Sequence, residues 1–100
     1  MIELVTQKRE GIAELCRRLG VRRLEVFGSA ARGTFTPETS DLDFLYEFSG
    51  EANYLNRFLD LAESLETLLG KKVDLLNFSS IRNPYLRESI ERDKELVYGT

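Results

Sequence analysis

The stretch from Val26 to Asp43, VFGSAARGTFTPETSDLD, constrains this chain more than any other. A short apolar run, Leu24 to Phe27, stops at Gly28-Ser29. A polar, turn-rich segment follows, and a second apolar run then opens with aspartates at alternate positions, Asp41 and Asp43. A backbone that must bend sharply after a strand, and let a phosphate come close, needs a residue without a Cβ. The N–H groups of such a turn, above all where a helix starts, bind anionic oxygens. Gly28 is therefore expected in a phosphate-gripping turn, with the Ser29 hydroxyl as a further donor. Ala30-Ala31-Arg32 suits a short helical turn that sets small residues near the ligand and brings a cation, Arg32, within reach of it. Thr34 to Ser40, marked by Pro37, reads as a loop at the edge of the same pocket.

The aspartates predict a different task. Alternate residues on a strand share a face, and two steps of about 3.3 Å put the Asp41 and Asp43 Cα atoms roughly 6.6 Å apart. Carboxylates at that spacing can converge on one hard cation or bridge two. Magnesium suits them, since it takes oxygen ligands and is typically shared between a few carboxylates and substrate phosphates. Without a cation the two charges repel, and one carboxyl tends to keep its proton. A Gly-Ser pair after a strand is usually only a turn, and an Asp-x-Asp at a strand start is usually solvated charge. A third carboxylate shifts that balance. Lys71 to Phe78, KKVDLLNF, reads as another short strand with Asp74 near its start.

The rest of the chain supplies a frame. One hundred residues are enough for a single domain, residues 1–100, with one modest core. A hydrophobic content of 42% with 31% charged residues is ordinary for a globular protein. The net charge of −3 argues against a general DNA- or RNA-binding surface. The single cysteine, Cys16, excludes an internal disulfide and fits a reducing, cytoplasmic setting. There is no signal peptide, and no apolar run approaches the ~20 residues that cross a membrane. The absence of histidine excludes imidazole acid–base chemistry and imidazole metal sites.

Thr6 to Leu19 is expected as the first helix, with Ile12, Leu15, Cys16 and Leu19 on its apolar stripe and Gly20 as its stop. Cys16 lies on that stripe and reads as a small buried hydrophobe. Arg17, Arg18, Arg22 and Arg23 form a basic cluster, either a solvated surface or a docking patch for an acidic partner. Arg22 to Phe27 and Asp41 to Phe48 read as strands. In the second, Leu42, Phe44, Tyr46 and Phe48 alternate with Asp41, Asp43, Leu45 and Glu47. Asn53 to Leu69 reads as a helix whose stripe is Leu55, Phe58, Leu59, Ala62, Leu65 and Leu69. Asn83-Pro84 opens a further helix with Tyr85, Leu86 and Ile90 as its apolar side, and Glu95 to Tyr98 reads as a final strand. The order predicts an α/β (α+β) fold with a small mixed sheet and helices packed on it.

Gly28-Ser29, eleven residues, Asp41-Leu42-Asp43, and Asp74 on a later strand together resemble the nucleotidyltransferase superfamily, that of DNA polymerase beta and kanamycin nucleotidyltransferase. The words FGSAARG and SDLDFL are most similar to the minimal nucleotidyltransferases of prokaryotes, commonly paired with a HEPN-domain protein in toxin–antitoxin modules. The resemblance covers nearly the whole chain. It implies the nucleotidyltransferase fold, ATP as substrate, one or two Mg2+ ions on Asp41, Asp43 and Asp74, and nucleotide contacts from Gly28, Ser29, Arg32 and Ser40. It also implies transfer of AMP to a tyrosine of a HEPN toxin, which silences it. Asp74 is open between metal ligand, base and strand-end charge. Two other classes of function stay open on the sequence: an antitoxin that neutralises its partner by covering it, and a nucleotide sensor that binds without transfer.

Overall fold

Four short strands build one mixed sheet. The computed structural model describes residues 1–34, 36 and 41–99. Strand β1 (Val21–Phe27) pairs antiparallel with β2 (Leu42–Phe48) and with β4 (Glu95–Tyr98), while β3 (Val73–Leu76) runs parallel to β2, so the sheet order is β3-β2-β1-β4. Alternation along β2 sets the layers. Leu42 and Phe44 are fully buried and Tyr46 nearly so, packed with helices α2 (Arg9–Leu19) and α4 (Tyr54–Leu69) in the main core. The other face carries a second, smaller core of Phe27, Leu45, Ile81 and Ile90, the last on helix α5 (Pro84–Asp93). Asp43, one step from Phe44, therefore lies on the α5 side of the sheet.

The first helix begins earlier than its periodicity suggests and breaks once. Helix α1 (Glu3–Gln7) and α2 are separated at Lys8, whose φ of −99° and ψ of 11° leave the helical range. The break lets Val5 and Ile12 both reach full burial, and Ile2 N–H donates to the Ala30 carbonyl. The α2 stripe is as expected, with Ile12, Leu15 and Cys16 buried and Leu19 partly so. Burial pushes the Cys16 thiol up to about 12, against the opposing pull of Arg17, so it stays protonated and unreactive. The basic cluster is largely paired within the chain: Arg17 to Glu14, Arg22 to Glu47 and Arg23 to Glu25.

Four expectations are corrected. Strand β2 starts at Leu42, not Asp41, because its parallel partner begins only at Val73. Strand β3 ends at Leu76, because the Asn77 side chain accepts from Ser79 N–H at 3.0 Å and turns the chain into a 3₁₀ segment, Phe78–Ser80. The α4 stripe is rotated. Leu61, Leu65 and Leu69 are its buried residues, whereas Leu55 and Leu59 are 67% and 54% exposed. At about 100° per residue, Leu55 and Leu59 stand roughly 80° and 120° around the helix from Leu65. A helix this rich in leucine offers several stripes, and the sheet selects one. Helix α5 shows a similar narrowing: Ile90 is buried, but Tyr85 and Leu86 are exposed.

Arg57 ties these layers together. Its guanidinium donates to the carbonyls of Leu19, Gly20, Ser49 and Ala52 at 2.7–3.1 Å and stacks 4.3 Å from the Phe48 ring. One side chain thus satisfies the end of α2 and the loop entering α4. The rotated stripe is directly testable. Leu61→Ala should destabilise the protein by about 2–5 kcal/mol, whereas Leu59→Ala should change stability by no more than about 0.5 kcal/mol. Urea midpoints would decide it, and equal losses would restore the Leu55–Leu59 stripe.

Candidate functional site

Strand register assembles the site. Phe27 faces Asp43 across the antiparallel β1–β2 pair, and Asp43 faces Asp74 across the parallel β2–β3 pair. Paired positions share a sheet face, so the turn after Phe27 and the two carboxylates stand side by side at one end of the sheet.

Gly28 takes φ 71° and ψ −149°, a region essentially closed to other residues. A Cβ built there would lie 2.7 Å from Asp43 Oδ2. The glycine is therefore required twice, for the bend and for the approach of the carboxylate. Helix α3 (Ser29–Arg32) starts immediately, and the N–H groups of Ala31 and Arg32 both donate to the Gly28 carbonyl at 3.1 Å. Ala30 and Ala31 are buried in the main core. Their small size serves the seating of α3 on the sheet. Ser29 is half-buried and Arg32 exposed.

Electrostatics single out Asp43. Its carboxyl is pushed up to about 6, first by burial, then by the neighbouring charges of Asp74 and Asp41, against a smaller pull from Arg32. Asp41 sits half-buried one residue before β2, and Asp74 is exposed on the edge strand. Among the described residues no three acidic side chains close into a complete metal cage. The donor set nonetheless fits a hard divalent ion shared with phosphate oxygens. It is all carboxylate, it repels itself, and it adjoins the turn where a phosphate can enter.

Arg32 is held from outside the predicted motif. Its Nη1 donates to Asp93 Oδ2 at 3.2 Å, at the end of α5. Asp93 was not among the predicted site residues, and no local pattern marks it, since it lies 61 positions from Arg32. A small cavity of about 110 Å³ separates the turn from α5, lined by Phe27, Gly28, Arg32, Leu86, Ser89, Ile90 and Asp93. A larger cleft of about 310 Å³ includes Glu25, Leu45, Glu47, Asn77 and Arg87. None of the predicted site residues lines it, and Glu25 within it is already paired with Arg23 and Lys94. Ser40, and most of the loop from Thr34 to Ser40, lie outside the described residues.

The raised Asp43 has a consequence for stability. An acid whose folded pKa exceeds its unfolded value holds its proton more tightly when folded. Its contribution therefore falls as pH rises from about 4 through about 6. Without metal or nucleotide, Asp43→Asn should raise the melting temperature at pH 7.5, and the gain should shrink toward pH 4. Thermal melts in chelator across that range test this. A mutant less stable at pH 7.5 would contradict the strained charge.

Comparison with known proteins follows the same lines. The family model described as "Nucleotidyltransferase domain" matches residues 8–97. A Methanocaldococcus jannaschii protein assigned as a protein adenylyltransferase is 49% identical over 80 residues, 78% of this chain and 76% of the relative. The protein adenylyltransferase MntA of Thermococcus cleftensis is 42% identical over 85 residues, 85% of this chain and 81% of the relative. A solved structure assigned as a minimal nucleotidyltransferase superposes with a TM-score of 0.74 at 40% identity, covering 94% of this chain and 95% of that one. A mutant MntA toxin–antitoxin complex gives 0.65 at 25% identity, covering 91% and 72%. With its mixed sheet, its glycine turn and its facing aspartates, the chain belongs to the nucleotidyltransferase domain family.

Proposed function

We propose that this chain is a protein adenylyltransferase that moves AMP from ATP onto a tyrosine hydroxyl of a HEPN-domain toxin, and so acts as the antitoxin of the pair. The observation that carries the reading is the register that sets the Gly28 turn against Asp43 and Asp43 against Asp74. The adenylyltransferase relatives and the likeness to a toxin–antitoxin complex support the nucleotide and the kind of partner.

The Gly28-Ser29 turn takes the β- and γ-phosphates through backbone N–H groups and the Ser29 hydroxyl, with Arg32 adding a charge-assisted contact. Asp41 and Asp43 would hold Mg2+, and Asp74 serves the acceptor side. When bound, the metal would supply charge neutralisation for an in-line displacement. The acceptor oxygen forms its bond to the α-phosphorus as the bond to the β-phosphate oxygen breaks. Pyrophosphate departs, and Asp74 receives the tyrosine proton. Most of the rate gain comes from placement and charge compensation. Because Asp43 must be ionised to hold a cation, triphosphate affinity weakens as pH falls through about 6.

The test is the intact mass of a co-expressed toxin, joined to triphosphate affinity and single-turnover transfer. Wild type should shift the toxin by whole AMP units. Asp41→Asn and Asp43→Asn should lose both Mg2+-dependent affinity and transfer. Asp74→Asn should keep affinity and lose transfer by about 10²–10⁴-fold. Gly28→Val should abolish transfer while the fold persists. A toxin neutralised equally well by Asp43→Asn, with no change in mass, would overturn transfer in favour of neutralisation by complex formation.

A further inference from the structure

The arginine of the phosphate turn is set by a residue far along the chain, and this bears on how triphosphate is gripped. Arg32 ends a helix of only four residues, and its side chain is about half exposed. An arginine so placed samples many rotamers, and ordering it on binding costs affinity. Asp93 is different. Its side chain is 16% exposed, and it terminates the ten-residue helix α5, which Ile90 anchors in the second core. Its Oδ2 accepts from Arg32 Nη1 at 3.2 Å, while its Oδ1 lies 3.5 Å from Arg92 Nε. Among the described residues the contact engages one of five guanidinium donors and leaves the others available.

We propose that Asp93 is a positioning residue for triphosphate binding: it fixes the Arg32 guanidinium at the mouth of the Gly28 turn, so that the cation is already placed when phosphate arrives. Two features carry this. The pair joins the two walls of the small cavity beside Gly28, where Arg32 and Asp93 both face the same space. The carboxylate that holds Arg32 belongs to a packed ten-residue helix, whereas Arg32 itself ends a helix of four residues at Gly33. The alternative, that Asp93 competes with phosphate for Arg32, makes the opposite prediction: its removal would tighten binding. This inference rests on the phosphate-turn reading above.

Calorimetric titration of Mg2+-ATP, without any acceptor protein, tests it through a double-mutant cycle. Arg32→Ala should weaken binding about tenfold. Asp93→Ala should weaken it about three- to tenfold in the wild-type background and hardly at all in the Arg32→Ala background. Asp93→Glu, which keeps a carboxylate, should recover part of the loss. Circular dichroism melts of each variant identify any that fail to fold, and for Asp93→Ala a failure would move the test to Asp93→Asn. Tighter binding by Asp93→Ala, or an equal loss in both backgrounds, would overturn the positioning role. If Arg32→Ala binds Mg2+-ATP as wild type does, the phosphate-turn reading of Arg32 fails first, and the two failures are told apart. Transfer to the toxin adds a second check, since a positioning role raises the KM for ATP much more than it lowers kcat.

Discussion

Everything at this site depends on one register. Phe27, Asp43 and Asp74 lie in a row across three strands, and the side-chain period of a strand is two residues. A slip of one position in β2 would bury Asp43 in the main core and send Phe44 to the outer face. Hydrophobic burial prevents that slip. Leu42 and Phe44 are fully buried among residues of α2 and α4, and the cost of exposing them fixes where the aspartate points. The acidic site is thus a by-product of how the apolar residues beside it must pack.

Packing is also what holds repelling charges together. Asp43 is partly buried near two other carboxylates, an arrangement that costs stability in the ligand-free protein. The rest of the fold offsets it with apolar layers on both faces of the sheet and with Arg57, which satisfies carbonyls from two segments. Conflict between local chemistry and global stability is common at functional sites. Here the conflict falls on Asp43.

Legibility in the sequence followed distance along the chain. The turn at Gly28 and the pair Asp41 and Asp43 are local signals, because a glycine after an apolar run and alternate aspartates before one are visible without knowing what pairs with what. Asp74 was readable as an acid on a strand. That it faces Asp43 depended on a parallel pairing across α4, which no local pattern encodes. Asp93 was invisible because helix-end aspartates are common and its partner lies in another segment. The α4 stripe was misread for another reason: Leu55, Leu59, Leu61, Leu65, Leu68 and Leu69 satisfy more than one periodic reading, and only contact with the sheet chose between them. The fold class came through because element order survives such errors.

The strand order carries one more implication. Gly28, Asp43, Asp74 and Asp93 come from four elements, and the last of them follows three of the four strands. No hairpin or single helical unit within the chain contains the set. A half-folded copy, with β1 and β2 paired and α5 undocked, would hold the turn, Asp41 and Asp43 but neither the crossover acid nor the strut behind Arg32. On the proposed function, ligand affinity is therefore a property of the completed molecule. In a mixed population, nucleotide would be drawn to finished copies and would favour them by mass action over incomplete ones.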